Sequence, residues 1–491
     1  MLLRHAVSYS LSKIVPGLVN VLALALYTRW LDSAAFGRYA LVLAVVALGQ
    51  LVVFKWLLLG TLRYYQRAQD DGHLPILLST VAGSFAFSGI LMSAAWILVL
   101  ALVPLDAELK SALYLGLPLV LVQAIFEQTL SLHVAALNPY RYAALVLQRA
   151  VLGLAAAGFF VLAFDLVEHG VLAGLILGNL AAASVDFPRW WRQVRLPNIQ
   201  RKVAHELGRY GMPLIAGMGL SLVVTTSDRF LIEYFLGSGS VGLYSAGYDL
   251  ASHTLTALFM GVNLAAYPLA IRALERAGVK AAQAQLRQNG VLFLGVALPA
   301  TAGLCMISSS LAGLVLGGTF RATAAEIIPW IALAFFLSGF RAFYLDVSFH
   351  LAHRTRLQVW PLGAAALANI TLNIWWLPDY GIMGAVYATV VAFAIAFAGS
   401  LFLSFRVFPL PFPLGDWCRM LMATLLMVTL LWFIPTRATW FGLGLAILSG
   451  AVTYTLALCL TNPARFRRRA LDALVSIVLI MKNIIARIHH A

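Results

Sequence analysis

Charge is what this sequence has least of. Only 11% of its 491 residues are Asp, Glu, Lys or Arg, where a soluble globular protein carries about a quarter. Together with 62% hydrophobic residues, that scarcity excludes a water-soluble domain and points to a polytopic membrane protein. Acid is scarcer than base, with 19 Asp and Glu against 34 Lys and Arg and a formal net charge of +15. In a soluble chain such an excess suggests nucleic acid. Here its placement between apolar runs gives it a different meaning, and no nucleic-acid partner is expected. Cysteine is almost missing: Cys305, Cys418 and Cys459 lie in or beside apolar runs without CxxC or Cys/His spacing, which supports neither a disulfide framework nor a metal site. Catalytic signatures are missing as well. The sequence holds no HExxH, no P-loop, no GxSxG and no nucleotide fingerprint, so no enzyme is expected and no cofactor beyond a coupling ion, H⁺ or Na⁺.

What is present is a succession of apolar runs. Spans of about 20 residues between polar breaks predict an all-α fold of roughly fourteen transmembrane helices, from 9–30 to 439–461. The first run, Tyr9 to Trp30, is too long for a signal-peptide core and lacks a small-residue cleavage site, so it reads as a membrane helix. The connections alternate in charge. One side carries Arg4 and Lys13, Arg63 and Arg67, Arg141, the cluster from Arg189 to Arg209, Arg272 to Arg287, Arg354 and Arg356, Arg406 and the run Arg465 to Arg469. The other carries only Arg29, Arg38, Lys110, Arg321 and Arg437. The positive-inside rule makes the first side cytoplasmic and puts both termini there. Every external connection is short, which leaves no room for an external catalytic domain. The predicted organisation is an N-lobe over 1–188 (helices one to six), a basic cytoplasmic linker over 189–209 and a C-lobe over 210–405 (helices seven to twelve). Two further helices follow over 406–462, then a basic amphipathic tail over 463–491, read as lying on the cytoplasmic leaflet.

The stretch from Tyr210 to Pro268 organises the rest. It holds two apolar runs joined by the turn Gly237, Ser238, Gly239, Ser240, a hairpin of membrane helices. The same text recurs near the start of the chain, with Trp30, Leu31, Phe36, Gly37 and Tyr39 at the spacing of Phe235, Leu236, Val241, Gly242 and Tyr244. That repetition predicts an internal duplication, its two lobes related by an axis along the membrane normal.

Polar groups at membrane depth are the functional signal, because a charge at a bilayer centre costs roughly 2.5–3.5 kcal/mol unless it faces protein or water. Ser221, Thr225 and Asp228 share one face of helix seven; Gln123, Glu127 and Ser131 share one face of helix four; Lys13, Asn20 and Tyr27 recur along helix one. Two such stripes facing each other predict a wet cleft between the lobes. Lys13, Lys55, Arg149, Arg341 and Arg229 then form a graded series of cations suited to a pyrophosphate, with Asp228, Glu127, Asp249, Thr225 and Asn20 as polar or ion-coupling groups. The structural alternatives are snorkelling for Lys13 and Lys55, ion pairing of Arg229 with Asp228, Glu233 or Asp249 and of Arg341 with Asp346, and interhelical hydrogen bonding for Glu127 and Asp228, which is the preferred reading of those two. Tyr27, Tyr244 and Tyr248 are candidates for stacking on sugar rings.

The succession TRWL, FGRY and LRYY, followed by YGMPL, SDRFLI, VGLYSAGYDLA and AAYPLA, resembles the polysaccharide flippases of the MOP superfamily, the O-antigen translocase or Wzx type. The resemblance runs to about Phe405. It implies a flippase of the bacterial inner membrane that moves an undecaprenyl-pyrophosphate-linked oligosaccharide to the external leaflet by alternating access, with a polysaccharide polymerase and a chain-length regulator as candidate partners. Two readings compete with it. A MATE-like cation-coupled exporter would share the architecture but would need a net acidic cleft, and a non-transporting scaffold would dock assembly enzymes on the basic cytoplasmic loops.

Overall fold

The computed structural model describes residues 17, 19–434 and 438–461; Lys13 and the tail over 463–491 lie outside the described residues. All regular structure among the described residues is helical. A first helix, α1, covers 19–30. It is followed by α2 (Ser33–Asp70), α3 (Leu74–Leu102), α4 (Ala107–Ala135), α5 (Pro139–Phe164), α6 (Val167–Trp191) and α7 (Arg201–Leu236). The chain then forms α8 (Ser238–Val315), α9 (Gly318–Leu351), α10 (Val359–Tyr380), α11 (Ile382–Val407), α12 (Leu414–Phe433) and α13 (Trp440–Thr461). Eleven of these elements, among the described residues, are long and apolar enough to cross a bilayer.

Local chemistry sets the boundaries. Asp32 accepts from the Ala35 amide at 2.7 Å and starts α2; Asp106 accepts from the Glu108 amide at 3.1 Å and starts α4; Asn138 followed by Pro139 starts α5. The predicted helices eight and nine form one run, α8, because helix continues past residue 270 into the expected basic connection. It breaks only at Gly278, whose φ of +75° lies in the left-handed region glycine tolerates. The predicted linker over 189–209 is likewise mostly helical: α6 reaches Trp191 and α7 begins at Arg201, leaving a short 3₁₀ turn at Leu196–Asn198.

Turns alternate between two ends. The hairpin end holds the α1–α2 and α7–α8 turns, and the basic end holds the connections rich in arginine. Small residues let the helices approach. Gly170, Gly174 and Gly178 recur every fourth residue on α6: Gly170 lies against Phe160 and Val161 of α5, while at Gly174 and Gly178 a methyl group would strike the backbone of Ala157 and Gly153.

The helices of the predicted lobes meet at both ends. At the hairpin end a methyl on Gly37 would overlap the Ser238 carbonyl, and one on Gly242 would overlap the Ser33 carbonyl. One sequence offset relates Ser33 to Ser238 and Gly37 to Gly242, so the two contacts exchange under the repeat. Beside them the Gly317 amide donates to Thr28 Oγ1 at 3.1 Å, and Arg29 donates to the Leu314 carbonyl at 2.7 Å. At the basic end α2 packs on α7, with Gly60 against Leu207, Gly211 against the Trp56 backbone, and Tyr64 edge-on to Tyr210 at 6.1 Å.

Candidate functional site

Between these two contacts lies a cavity of about 370 Å³. Its walls come from α2 (Gln50, Phe54, Lys55), α3 (Phe85), α4 (Gln123, Glu127, Gln128) and α7 (Ser221, Thr225), with Met218 completing the α7 side. Helices from both halves of the chain therefore build one site. Gln50 to Phe54 form a π turn within α2, a local widening that often marks functional positions. It brings Gln50 and Lys55 to the cavity, and the Gln50 amide donates to the Val120 carbonyl at 2.6 Å. Gln128 is held by donating to Thr61 Oγ1 at 2.8 Å.

Lys55 and Glu127 are half-buried and make no hydrogen bond or salt bridge with any described residue. Arg149 of α5, expected as a cavity cation, is not among the lining residues. Its guanidinium sits 5.2 Å from the Phe126 ring centroid, within electrostatic range of Glu127, Tyr39, Tyr142 and Tyr27. Tyr39 continues the polar track toward the hairpin end, in electrostatic range of Arg149, Arg229 and Asp249.

The other candidate residues are placed differently. Arg229, expected as a phosphate cation, pairs with Asp249 at 2.6 Å and lies 5.8 Å from the Tyr248 ring centroid. Arg341 pairs with Asp346 at 2.6 Å, with both side chains buried. Residues 341–345 form a second π turn, in which the Asp346 amide donates to the Arg341 carbonyl at 2.8 Å. That turn stacks position i over i+5, so Arg341 meets a carboxylate of its own helix and does not line the cavity.

Asp228 leaves the stripe it was expected to share with Ser221 and Thr225. It is fully buried, accepting from Tyr244 at 2.6 Å, Thr389 at 2.7 Å and Asn373 at 2.8 Å. One turn above Thr225 the cavity has ended and α10 and α11 close on α7. The two asparagines that help build this nest, Asn369 and Asn373, were missed; their signal is an i, i+4 amide pair inside an apolar run. Gln50 and Gln128 were missed too, each a lone amide in an apolar helix.

The tyrosines expected to stack on sugars are closed off. Tyr27 (3% exposed), Tyr244 (1%) and Tyr248 (4%) are buried because rings cover rings: Tyr27 packs against Trp30 and Tyr39, and Tyr244 against Tyr248. Arg38, one of the few cations on the less basic side, binds Glu168 at 2.7 Å and Glu108 at 2.6 Å. Asn20 is exposed on α1. Among the described residues no group of three His, Cys, Asp or Glu side chains is arranged to hold a metal.

Comparison with known proteins agrees with this architecture. No curated relative matches the sequence. Among solved structures, one described as "Lipid II flippase MurJ, inward closed conformation" superposes with a TM-score of 0.77 at 14% identity, covering 92% of this chain and 98% of that one. An inward-facing multidrug resistance MATE family transporter of the MOP superfamily follows at 0.65 and 12% identity, covering 81% and 98%. A MOP superfamily transporter from Pyrococcus furiosus, whose description reports a reversed polarity of its binding pocket, gives 0.58 at 12% identity over 82% and 96%. At these identities the likeness establishes the fold. The family model described as "Polysaccharide biosynthesis protein" matches residues 2–274, more than half of the chain. The chain therefore belongs to the polysaccharide biosynthesis protein family and carries the polytopic helical fold of the MOP-superfamily transporters.

Proposed function

We propose that this protein is a flippase for an undecaprenyl-pyrophosphate-linked oligosaccharide, carrying the head group from the basic, cytoplasmic end to the hairpin, external end of a bacterial inner membrane for surface polysaccharide assembly. The observation that carries the reading is Lys55, a cation without a hydrogen-bond partner among the described residues, in a cavity built jointly by α2, α4 and α7. A pyrophosphate supplies the acceptors that Lys55 lacks, and Arg149 adds a second cation within reach of the same wall. The amides of Gln50, Gln123 and Gln128 and the hydroxyls of Ser221 and Thr225 match the donor and acceptor pattern of a sugar. Alternating access would follow from opening one inter-helix contact at a time, the Gly37–Gly242 crossing at one end or the α2–α7 packing at the other.

Asp228 is the coupling group in this reading. A fully buried carboxylate whose hydrogen-bond partners are all neutral needs a proton or a small cation to balance its charge. Its surroundings of hydroxyls and carboxamides offer oxygen ligands of the kind Na⁺ accepts. A cation-coupled exporter has Glu127 in its favour, as the one carboxylate among the described residues that line the cavity.

The deciding experiment removes the gene and reads the lipid-linked glycan pool by mass spectrometry. Accumulation of an undecaprenyl-pyrophosphate oligosaccharide, restored by the wild-type chain and not by Lys55→Ala with Arg149→Ala at equal membrane abundance, is the expected result. An unchanged pool with increased sensitivity to cationic compounds would overturn it in favour of the exporter. Full rescue by the double variant would leave only a scaffold.

A further inference from the structure

A second hollow, of about 600 Å³, lies between α2, α3, the start of α4 and α7. It differs from the first in chemistry. Leu48 and Val52 of α2, Trp96 and Val99 of α3 and Phe230 of α7 give it an almost wholly apolar lining. Val52 and Val99 are each more than half exposed, so the hollow opens to the surrounding hydrocarbon. The two hollows share the same turns of α2: Ala47, Gln50, Leu51 and Phe54 face the polar cavity, while Leu48, Gly49, Val52 and Val53 face the groove. Along α7 they follow one another, with residues 218–225 at the cavity and 230–234 at the groove.

We infer that this groove seats the hydrocarbon tail of the transported lipid while its head group occupies the polar cavity; the inference rests on the function proposed above. Three observations select this occupant. The order along α7, polar toward the basic end and apolar toward the hairpin end, is the order of head and tail in a lipid of the leaflet at the basic end. The charges agree with that order: Lys55 lines the polar hollow, and Glu233, at the far end of the groove, repels an anionic head group and leaves an apolar chain unaffected. The lining runs from Leu41 to Val53, about 18 Å of helix, which suits an extended chain better than a compact ligand.

The test uses the full chain in proteoliposomes and two photoreactive probes, a sugar-free undecaprenyl pyrophosphate and a phosphatidylglycerol, each with a diazirine in its hydrocarbon chain. The isoprenoid probe should label peptides around Val52 and Val99. Excess unlabelled undecaprenyl pyrophosphate should reduce that labelling about tenfold, as should Val52→Trp, which fills an exposed position without disturbing the core. The phosphatidylglycerol probe should not be displaced. Equal, undisplaced labelling by both probes would overturn the inference and make the groove a place for bulk lipid. Displaceable labelling found only on other helices would overturn the groove and leave the proposed function standing. Absence of displaceable labelling anywhere, with pyrophosphate binding indifferent to Lys55→Ala, would overturn both.

Discussion

The charged groups beside the polar cavity and those on α7–α9 that turn away from it are treated in opposite ways by the same fold. Lys55 and Glu127 line a cavity, Arg149 lies in electrostatic range of Glu127, and none of the three makes a hydrogen bond or ion pair with a described residue. Arg229 and Asp249, and Arg341 and Asp346, are closed into pairs at 2.6 Å, while Asp228 is enclosed by three neutral donors. The difference separates two uses of buried charge. A paired charge has its partner built in and serves the structure, or holds an ion on a fixed seat. An unpaired charge at a cavity retains its hydrogen-bonding capacity for a ligand.

Four substitutions test that contrast. The largest effect belongs to the closed side. Arg341→Ala leaves Asp346 buried and uncompensated, which should cost about 3–5 kcal/mol and appear as a large fall in melting temperature and membrane yield. The double change Arg341→Met with Asp346→Leu should restore most of it, and failure to do so would show that Arg341 does more than pair. On the open side, Lys55→Ala should leave the melting temperature nearly unchanged but lower transport roughly 10- to 100-fold, the loss of a charge-assisted hydrogen bond of about 1.5–3 kcal/mol. A stability loss with normal transport per molecule would erase the contrast. Tyr244→Phe removes one of the donors to Asp228 and should cost about 1–2 kcal/mol of stability, with a shift in the ion or pH dependence of transport as the sign of a coupling seat. Thr225→Val, a near-isosteric change in the cavity wall, should reduce transport only a few-fold, about 0.5–1 kcal/mol, and leave folding intact.

Individual residues show where reading the sequence stopped. Thr225 and Glu127 were legible because helical spacing alone puts a polar stripe on one face, and a stripe in lipid must face something polar. Asp228 sits on the same stripe, yet its fate was set by what α10 and α11 bring to it, and Asn373 and Thr389 are more than a hundred residues away. Arg341 was read as a cavity cation with Asp346 just over a turn away; the π turn at 341–345 places the pair within bonding distance. Periodicity assumes 3.6 residues per turn and does not register such a widening. Tyr27, Tyr244 and Tyr248 suit stacking on sugar rings by residue type alone. Their burial depends on which neighbouring rings cover them.

By itself the sequence determined that this chain is all helix in lipid, where the hairpin turns lie, which connections are basic and that its opening text is repeated. Each follows from local rules: the length of an apolar run, a capping side chain, a glycine, an excess of arginine. Only the tertiary structure decided which polar groups meet. It crossed Gly37 with Gly242, joined α2 and α4 to α7 around Lys55, and closed Asp228, Arg229 and Arg341 into their own contacts. Partner choice between distant helices depends on packing across the whole bundle, since a buried charge takes whichever partner the close-packed arrangement brings within about 3 Å, and no local rule carries that information.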